Sequence, residues 1–114
     1  MVAITSVSVR QPIANLILSN TARAGATGFL KTLALEVADD GVTVNSVLPG
    51  LHATDRIRQL YGLDPAALGA AGPRRDIGDA GDFGRVVAFL CSESARFITG
   101  VALPVDGGAY KALL

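Results

Sequence analysis

The sequence predicts an α/β fold with three parallel strands and helices between them. Three observations point to it. The stretch Arg23 to Thr54 (RAGATGFLKTLALEVADDGVTVNSVLPGLHAT) reads as an amphipathic helix, a tight turn, a buried strand and a Pro-Gly exit. Short apolar runs open and close the chain, at Val2–Ser6 and Val101–Asp106. Helix-length segments separate these runs, so the strands are joined by right-handed crossovers rather than by hairpins.

Val2-Ala3-Ile4-Thr5-Ser6 is a short apolar run entering small hydroxyl residues, read as a buried strand. A strand at the start of the sequence is unusual in a parallel sheet, because a central strand needs neighbours on both edges. From Ser8 to Leu18 a loop turns into helix; Pro12 bars regular helix there. The helix is predicted from about Asn15 to Ala38, its apolar side beginning with Ile13, Leu16 and Ile17 and continuing through Ala26, Phe29, Leu30, Leu33 and Val37. Gly25 and Gly28 weaken it, and two glycines three apart suggest close packing against a neighbour.

Asp39-Asp40-Gly41 stops this helix, with Gly41 suited to the left-handed terminal position. Val42 to Leu48 is β-branched and short, hence strand, and Pro49-Gly50 ends it. Thr54 to Gly72 turns Ala/Gly-rich around Pro65, which suggests two short helices forming a lid. Pro73 to Asp82 is loop, with Asp82 the N-cap of a helix over Phe83–Ser92 that buries Val86, Val87, Phe89 and Leu90. Ser94 to Gly100 is a turn before the last strand, which Gly107-Gly108 ends.

Composition narrows the function. At 114 residues, with ten basic and ten acidic side chains, the chain is at most one domain with no net charge. Nucleic-acid binding, which needs a concentrated basic face, is not indicated. Half of the residues are hydrophobic, which for a surface this size implies association through apolar faces or a missing cover. No segment approaches the roughly 18 apolar residues that span a membrane. MVAITSVSVR lacks the charged start and long apolar core of a signal peptide. One cysteine, Cys91, precludes an internal disulfide and fits a reducing cytoplasm; it reads as a small buried hydrophobe rather than a nucleophile. No carboxylate pair or His/Cys/Asp cluster suggests a metal or hydrolysis.

Ligands of such sheets sit at the carboxyl ends of the strands, so Leu51 to Thr54 is the first place to look for a site. Ser6 stands at another such end. Asn45 lies within the central strand and reads as a structural hydrogen-bonding residue; Tyr61, in the lid segment, reads as packing on its neighbours.

Three pieces carry a family resemblance: Ile4-Thr5-Ser6-Val7, Asn45-Ser46-Val47-Leu48-Pro49-Gly50 with Thr54, and Phe97-Ile98-Thr99-Gly100 to Val105-Asp106-Gly107-Gly108. In this order and spacing they resemble the C-terminal half of a short-chain dehydrogenase/reductase, over residue 1 to about 109. The resemblance implies one partial domain over 1–114, with part of a Rossmann-type parallel sheet whose strands correspond to the family's last three. It implies an NAD(P)-dependent oxidoreductase, of the 3-oxoacyl-carrier-protein reductase or alcohol/ketone reductase type, acting on a small-molecule carbonyl or alcohol and assembling as a homo-oligomer.

The departures are specific. The family's glycine-rich phosphate loop lies early, at its first strand-to-helix turn. The sequence in hand contains no such loop, since Gly25, Gly28 and Gly69 to Gly72 do not follow a strand and open a helix. The family also places a tyrosine thirteen residues after its serine and a lysine four further on. Ser6 matches the serine, but the other two positions hold Ser19 and Arg23, and no tyrosine precedes Tyr61. Ser-Asn-x-x-Arg-Ala-Gly resembles a divergent branch of the family. A serine hydroxyl is a far poorer proton donor than a phenol of pKa about 10. Arginine supplies fixed charge and donors for ribose hydroxyls but does not relay protons.

The implied site is thus Ser6, Ser19 and Arg23 in degenerate catalytic positions. Arg23, Pro49, Gly50, Leu51, His52 and Thr54 fall at cofactor-contacting positions, through the backbone at Leu51 and His52 and the Thr54 hydroxyl. His52 is the lone histidine, the side-chain type suited to acid/base work. Without the loop and the phenol, weak or no activity by this chain alone is expected, with doubtful tight cofactor binding. A second reading is a non-catalytic oligomerisation or binding module, since the family builds subunit contacts from the long helix and last strand.

Overall fold

The computed structural model describes residues 1–61, 73–74 and 76–113. It contains strand β1 (Val2–Ile4), helix α1 (Ile17–Glu36), strand β2 (Asn45–Pro49), helix α2 (Asp55–Tyr61), helix α3 (Ala80–Leu90) and strand β3 (Ala102–Val105). The strands form one parallel sheet in the order β1-β2-β3, registered Val2 to Asn45 and Ser46 to Ala102. The α/β expectation holds, and β2 is the centre of the sheet.

Alternation along the central strand splits the core. Val44, just before β2, packs with Leu30 and Ala34 of α1. Val47, three residues on and on the opposite face, packs with Leu90 of α3 and Ala95. A strand covered on both faces needs an apolar run rather than alternation, and Val44, Val47 and Leu48 are all buried. Asn45 is buried among them because its amide joins the crossover to the sheet. It donates to the Ile98 carbonyl at 2.8 Å and accepts from the Val101 N–H at 3.2 Å. Its structural reading is correct.

Several boundaries and faces differ from expectation. Helix α1 starts at Ile17 rather than Asn15, because Asn15 takes the left-handed conformation at φ 64°. The helix ends at Glu36, and the left-handed turn falls on Gly41 as expected, after a 3₁₀ turn over Ala38–Asp40. Its inward face is Leu30, Leu33, Ala34 and Val37, whereas Ile17 and Phe29 point outward, 78% and 65% exposed. Gly25 and Gly28 face open space, so the close packing expected there is not present among the described residues.

Val42 lies outside β2 and is exposed, so the central strand begins at Asn45. Helix α3 is capped by Asp79, not Asp82: Asp79 Oδ1 accepts the Asp82 N–H at 2.9 Å, which puts Asp82 in the first turn. Val87 and Leu90 are on its packed side, while Phe89 is exposed. Cys91 is exposed as well, correcting its reading as a buried hydrophobe; it terminates α3 through its N–H. The first part of the expected lid is α2; residues 62–72 lie outside the described set, as does the Tyr61 side chain. Among the described residues no helix is long and apolar enough to cross a membrane.

Candidate functional site

The carboxyl ends of β1 and β2, with the turn after β3, surround a cavity of about 410 Å³. Ser6 reaches it because β1 ends at Ile4 and the ladder closes with the Thr5 N–H donating to Val47 O at 2.9 Å. Ser6 Oγ then accepts the Ser8 N–H at 3.1 Å and so starts a 3₁₀ turn over Val7–Val9. That bond uses the oxygen as acceptor and leaves the hydroxyl proton available to donate.

Pro49, Gly50 and Leu51 form the β2 side of this cavity. Gly50 is required by close approach: a Cβ there would lie 2.7 Å from Asp106 Cα. Its N–H pairs with Val105 O at 3.0 Å, so β2 and β3 stay joined up to the cavity.

Arg23 is the link between α1 and the end of β1. One guanidinium nitrogen donates to the Thr5 carbonyl at 2.6 Å, and Nε donates to Ser19 Oγ at 3.2 Å. The pair is one helical turn apart, the spacing at which side chains on one helix face meet. Ser19 and Arg23 are therefore brought together, and Arg23 is anchored on the residue next to Ser6. Two hydroxyls in this region, Thr5 Oγ1 and Ser8 Oγ, are buried without a hydrogen-bond partner among the described residues.

His52 goes elsewhere. It bridges Gly78, with the Ala53 N–H donating to Gly78 O at 2.8 Å and the Gly78 N–H donating to Leu51 O at 3.0 Å. Its ring stands edge-on to Phe83 at 4.8 Å, and Nδ1 lies 3.2 Å from Gly50 O. The ring lines a second cavity of about 410 Å³ on the α3 side, away from Ser6. Thr54 Oγ1 accepts the Ile57 N–H at 3.3 Å and so caps α2. The acidic residues near His52 are already engaged. Asp79 caps α3, Asp82 pairs with Arg85, and Asp76 pairs with Arg74 at 3.0 Å. Hydrogen bonding to Arg74 holds the Asp76 carboxyl below, and the Arg74 guanidinium above, their ordinary pKa values. Among the described residues no group of three His, Cys, Asp or Glu could hold a metal.

The Ser6 cavity includes residues to which the sequence assigned no site role. Gln11 and Ile13 come from the segment after β1, and Tyr110 from the turn after β3. For Tyr110 the Gly107-Gly108 pair signals a reversal after β3 but not which cavity the following residues reach.

Comparison with known proteins agrees with this geometry. Residues 1–110 match the family described as enoyl-(acyl carrier protein) reductase. The 3-oxoacyl-[acyl-carrier-protein] reductase FabG of Haemophilus influenzae is 46% identical over 89 residues, 78% of this chain and 37% of that protein. FabG of Escherichia coli is also 46% identical over 89 residues, 78% of this chain and 36% of its own length. The chain thus spans little more than a third of the curated relatives it matches. Among solved structures, YwfH, an NADPH-dependent reductase involved in bacilysin biosynthesis, superposes with a TM-score of 0.89 at 28% identity, covering 98% of this chain and 47% of that one. A short-chain oxidoreductase from Pseudomonas aeruginosa, bound to NADPH and containing an atypical catalytic center, gives 0.87 at 26% identity, with 97% and 46% covered. Sequence match, parallel sheet and strand-end cavity agree: the chain belongs to the short-chain dehydrogenase/reductase family.

Proposed function

We propose that this chain is the substrate-side part, one partial domain, of an NAD(P)-dependent oxidoreductase that acts on a small-molecule carbonyl compound or alcohol. The observation that carries this reading is the Arg23 clasp on Ser19 Oγ and the Thr5 carbonyl, beside Ser6. Ser6 and Ser19 hydroxyls donate hydrogen bonds that polarise a substrate carbonyl. Arg23 supplies a fixed positive charge that steadies the oxygen as it gains negative charge, and its remaining N–H groups suit ribose hydroxyls. The residues at the end of β2 also fit a nicotinamide cofactor. The Leu51 and His52 N–H groups have no partner among the described residues, which leaves two donors for a carboxamide or phosphate. The Thr54 hydroxyl is exposed beside them, and Pro49-Gly50 forms the wall. The bound cofactor supplies or accepts the hydride.

With no glycine-rich phosphate loop in the 114 residues, the chain alone binds cofactor weakly and turns over slowly or not at all. The test joins it to the nucleotide-binding segment of a FabG relative and follows NADPH oxidation with ketone and 3-oxoacyl thioester substrates. Turnover that Ser6→Ala and Arg23→Ala each reduce at least about a hundredfold supports the reading. A chimera that binds NADPH by calorimetry yet reduces no carbonyl, or that ignores both substitutions, refutes it.

A second reading, an oligomerisation or binding module, is supported by the outward apolar residues Leu18, Phe29, Leu35 and Phe97, which are 83%, 65%, 72% and 100% exposed. Homo-oligomerisation through these faces is compatible with catalysis, and the lone cysteine suits a cytoplasmic setting. Light scattering on the purified chain decides it: a monomer at all concentrations removes the second reading.

A further inference from the structure

We propose that the cavity between α1 and the start of β3 is an anion site that takes a small monocarboxylate with a short apolar tail. It stands apart from the Ser6 cavity and shares none of its lining residues. It lies by the first residues of β2 and β3, whereas the Ser6 cavity lies by the carboxyl ends of the strands.

Two cations are fixed at this cavity. Lys31 reaches across from α1, and its Nζ donates to the Gly100 carbonyl at 2.9 Å. Gly100, at φ 67°, leaves room for that approach, since a Cβ there would lie 3.0 Å from Nζ. Arg10 donates to the Ala102 carbonyl at 2.7 Å, and its guanidinium lies 5.5 Å from the centroid of the Tyr110 ring. The two carbonyls belong to residues one apart from Val101, so both cations are held at the same short stretch of chain. Each carbonyl takes a single N–H, which leaves most donors of both side chains for a ligand. Among the described residues no Asp or Glu lines the cavity, and neither cation pairs with a carboxylate. An anion between two fixed like charges relieves their repulsion.

The floor adds an independent observation. Ser46 is 2% exposed and shares a face of β2 with Val44, which packs against Leu30 and Ala34 of α1. Its side chain therefore turns toward the cavity, and its hydroxyl has no hydrogen-bond partner among the described residues. A buried hydroxyl without a partner costs free energy that a carboxylate oxygen recovers. Leu30, Val44, Val101 and Ala102 supply apolar wall, which suits an alkyl end and offers a phosphate nothing. The volume, about 250 Å³, falls below the ~300–1,000 Å³ of drug-sized sites, so the ligand is only a few carbons long.

The experiment titrates the full chain, ¹⁵N-labelled, with sodium butyrate at fixed ionic strength, beside 1-butanol and sodium phosphate. Butanol keeps the tail without the charge, and phosphate keeps charge without the tail. Butyrate is expected to give saturable shifts at the amides of Leu30, Ser46, Val101 and Ala102, with both comparison ligands at least about tenfold weaker. Arg10→Gln and Lys31→Gln keep a donor for each carbonyl and remove the charge, and each should weaken butyrate about fivefold or more. Should a glutamine variant lose amide dispersion, Ala102→Leu serves instead. Its side chain is on the Ser46 face by register, so it fills the cavity and should abolish the shifts. Butanol or phosphate binding as tightly as butyrate, shifts confined to other residues, or binding indifferent to these variants overturns the proposal. No cofactor or turnover enters the titration, so failure of the catalytic reading leaves its outcome unchanged.

Discussion

Glycine-to-alanine substitution should have opposite signs at the end of β2 and along α1. At Gly50 the added Cβ would lie 2.7 Å from both Cα and Cβ of Asp106. Unstrained carbon contacts sit at about 3.5–4.0 Å, so the overlap is about 1 Å and one partner is backbone. The Gly50 N–H bond to Val105 and the Asp106 bonds to Gly108 and Tyr110 resist the shift that would relieve it. Overpacking of this kind costs about 1–3 kcal/mol. At Gly25 and Gly28 a Cβ meets nothing within 4 Å, and both lie inside a helix. There alanine stabilises by about 0.5–1 kcal/mol each, because glycine loses more backbone freedom on folding. Urea unfolding at constant protein concentration measures all three, with unchanged slope as the check that the unfolded state is not what changed. A neutral Gly50→Ala, or destabilisation by both helix variants, would refute the packing described for these positions.

Asn45→Ala leaves the Ile98 carbonyl and the Val101 N–H without partners in a site 1% exposed, and should destabilise by about 2–5 kcal/mol by the same unfolding assay. Thr5→Val replaces a buried hydroxyl that has no partner among the described residues with a methyl group of the same shape and should stabilise by about 1 kcal/mol; destabilisation would reveal a partner for that oxygen. Arg74→Ala should raise the Asp76 titration midpoint toward the ordinary carboxylate range, followed by NMR. The shift is downward in the folded chain, so any stability it confers is full above the unfolded carboxylate pKa and is lost as pH falls through the folded value. Cys91, exposed at the end of α3, should react with a thiol reagent at one equivalent per chain without denaturant.

The order of elements was legible because its signals are local. β-branched runs at Val2 and Val44, Pro49-Gly50 and Gly41 punctuate the chain whatever packs around them. The buried face of α1 was not, because a helix apolar on two sides satisfies three-four spacing in more than one register. Phe29 and Leu30 are neighbours in sequence, yet only Leu30 is in the core. The α3 cap failed for a similar reason: Asp79 and Asp82 both have a capping side chain, and only backbone geometry decides between them. The Ser19–Arg23 contact was within reach, since four residues along a helix bring side chains together. Tyr110 was out of reach because its contact with the cavity depends on a turn closing across the whole sheet.

The end of β2 explains why the only histidine is not beside Ser6. Beyond Pro49 the chain has lost the regular ladder, and the bridge to Gly78 decides which way the next side chains turn. Gly78 offers no side chain, so the His52 ring lies on its backbone; a Cβ at Gly78 would come within 2.6 Å of His52 Cδ2. That contact, with the edge of Phe83, directs the ring to the α3 side, while the backbone N–H groups of Leu51 and His52 have no partner among the described residues. One segment therefore divides its groups: the Ala53 N–H and the Leu51 carbonyl fasten it to Gly78, the Thr54 hydroxyl caps α2, and the Leu51 and His52 N–H groups remain at the strand end. Gly78→Ala separates the two roles. Its steric conflict falls on the ring, so it should free the histidine and loosen the join between residues 51–53 and 78. The Arg23 clasp on Ser19 and Thr5, built from α1 and β1, should stay intact. The imidazole proton signals, by NMR, should move toward those of a solvated ring while the Ser19 and Arg23 amides keep their positions. Unmoved imidazole signals would mean that Gly78 does not set the direction of His52.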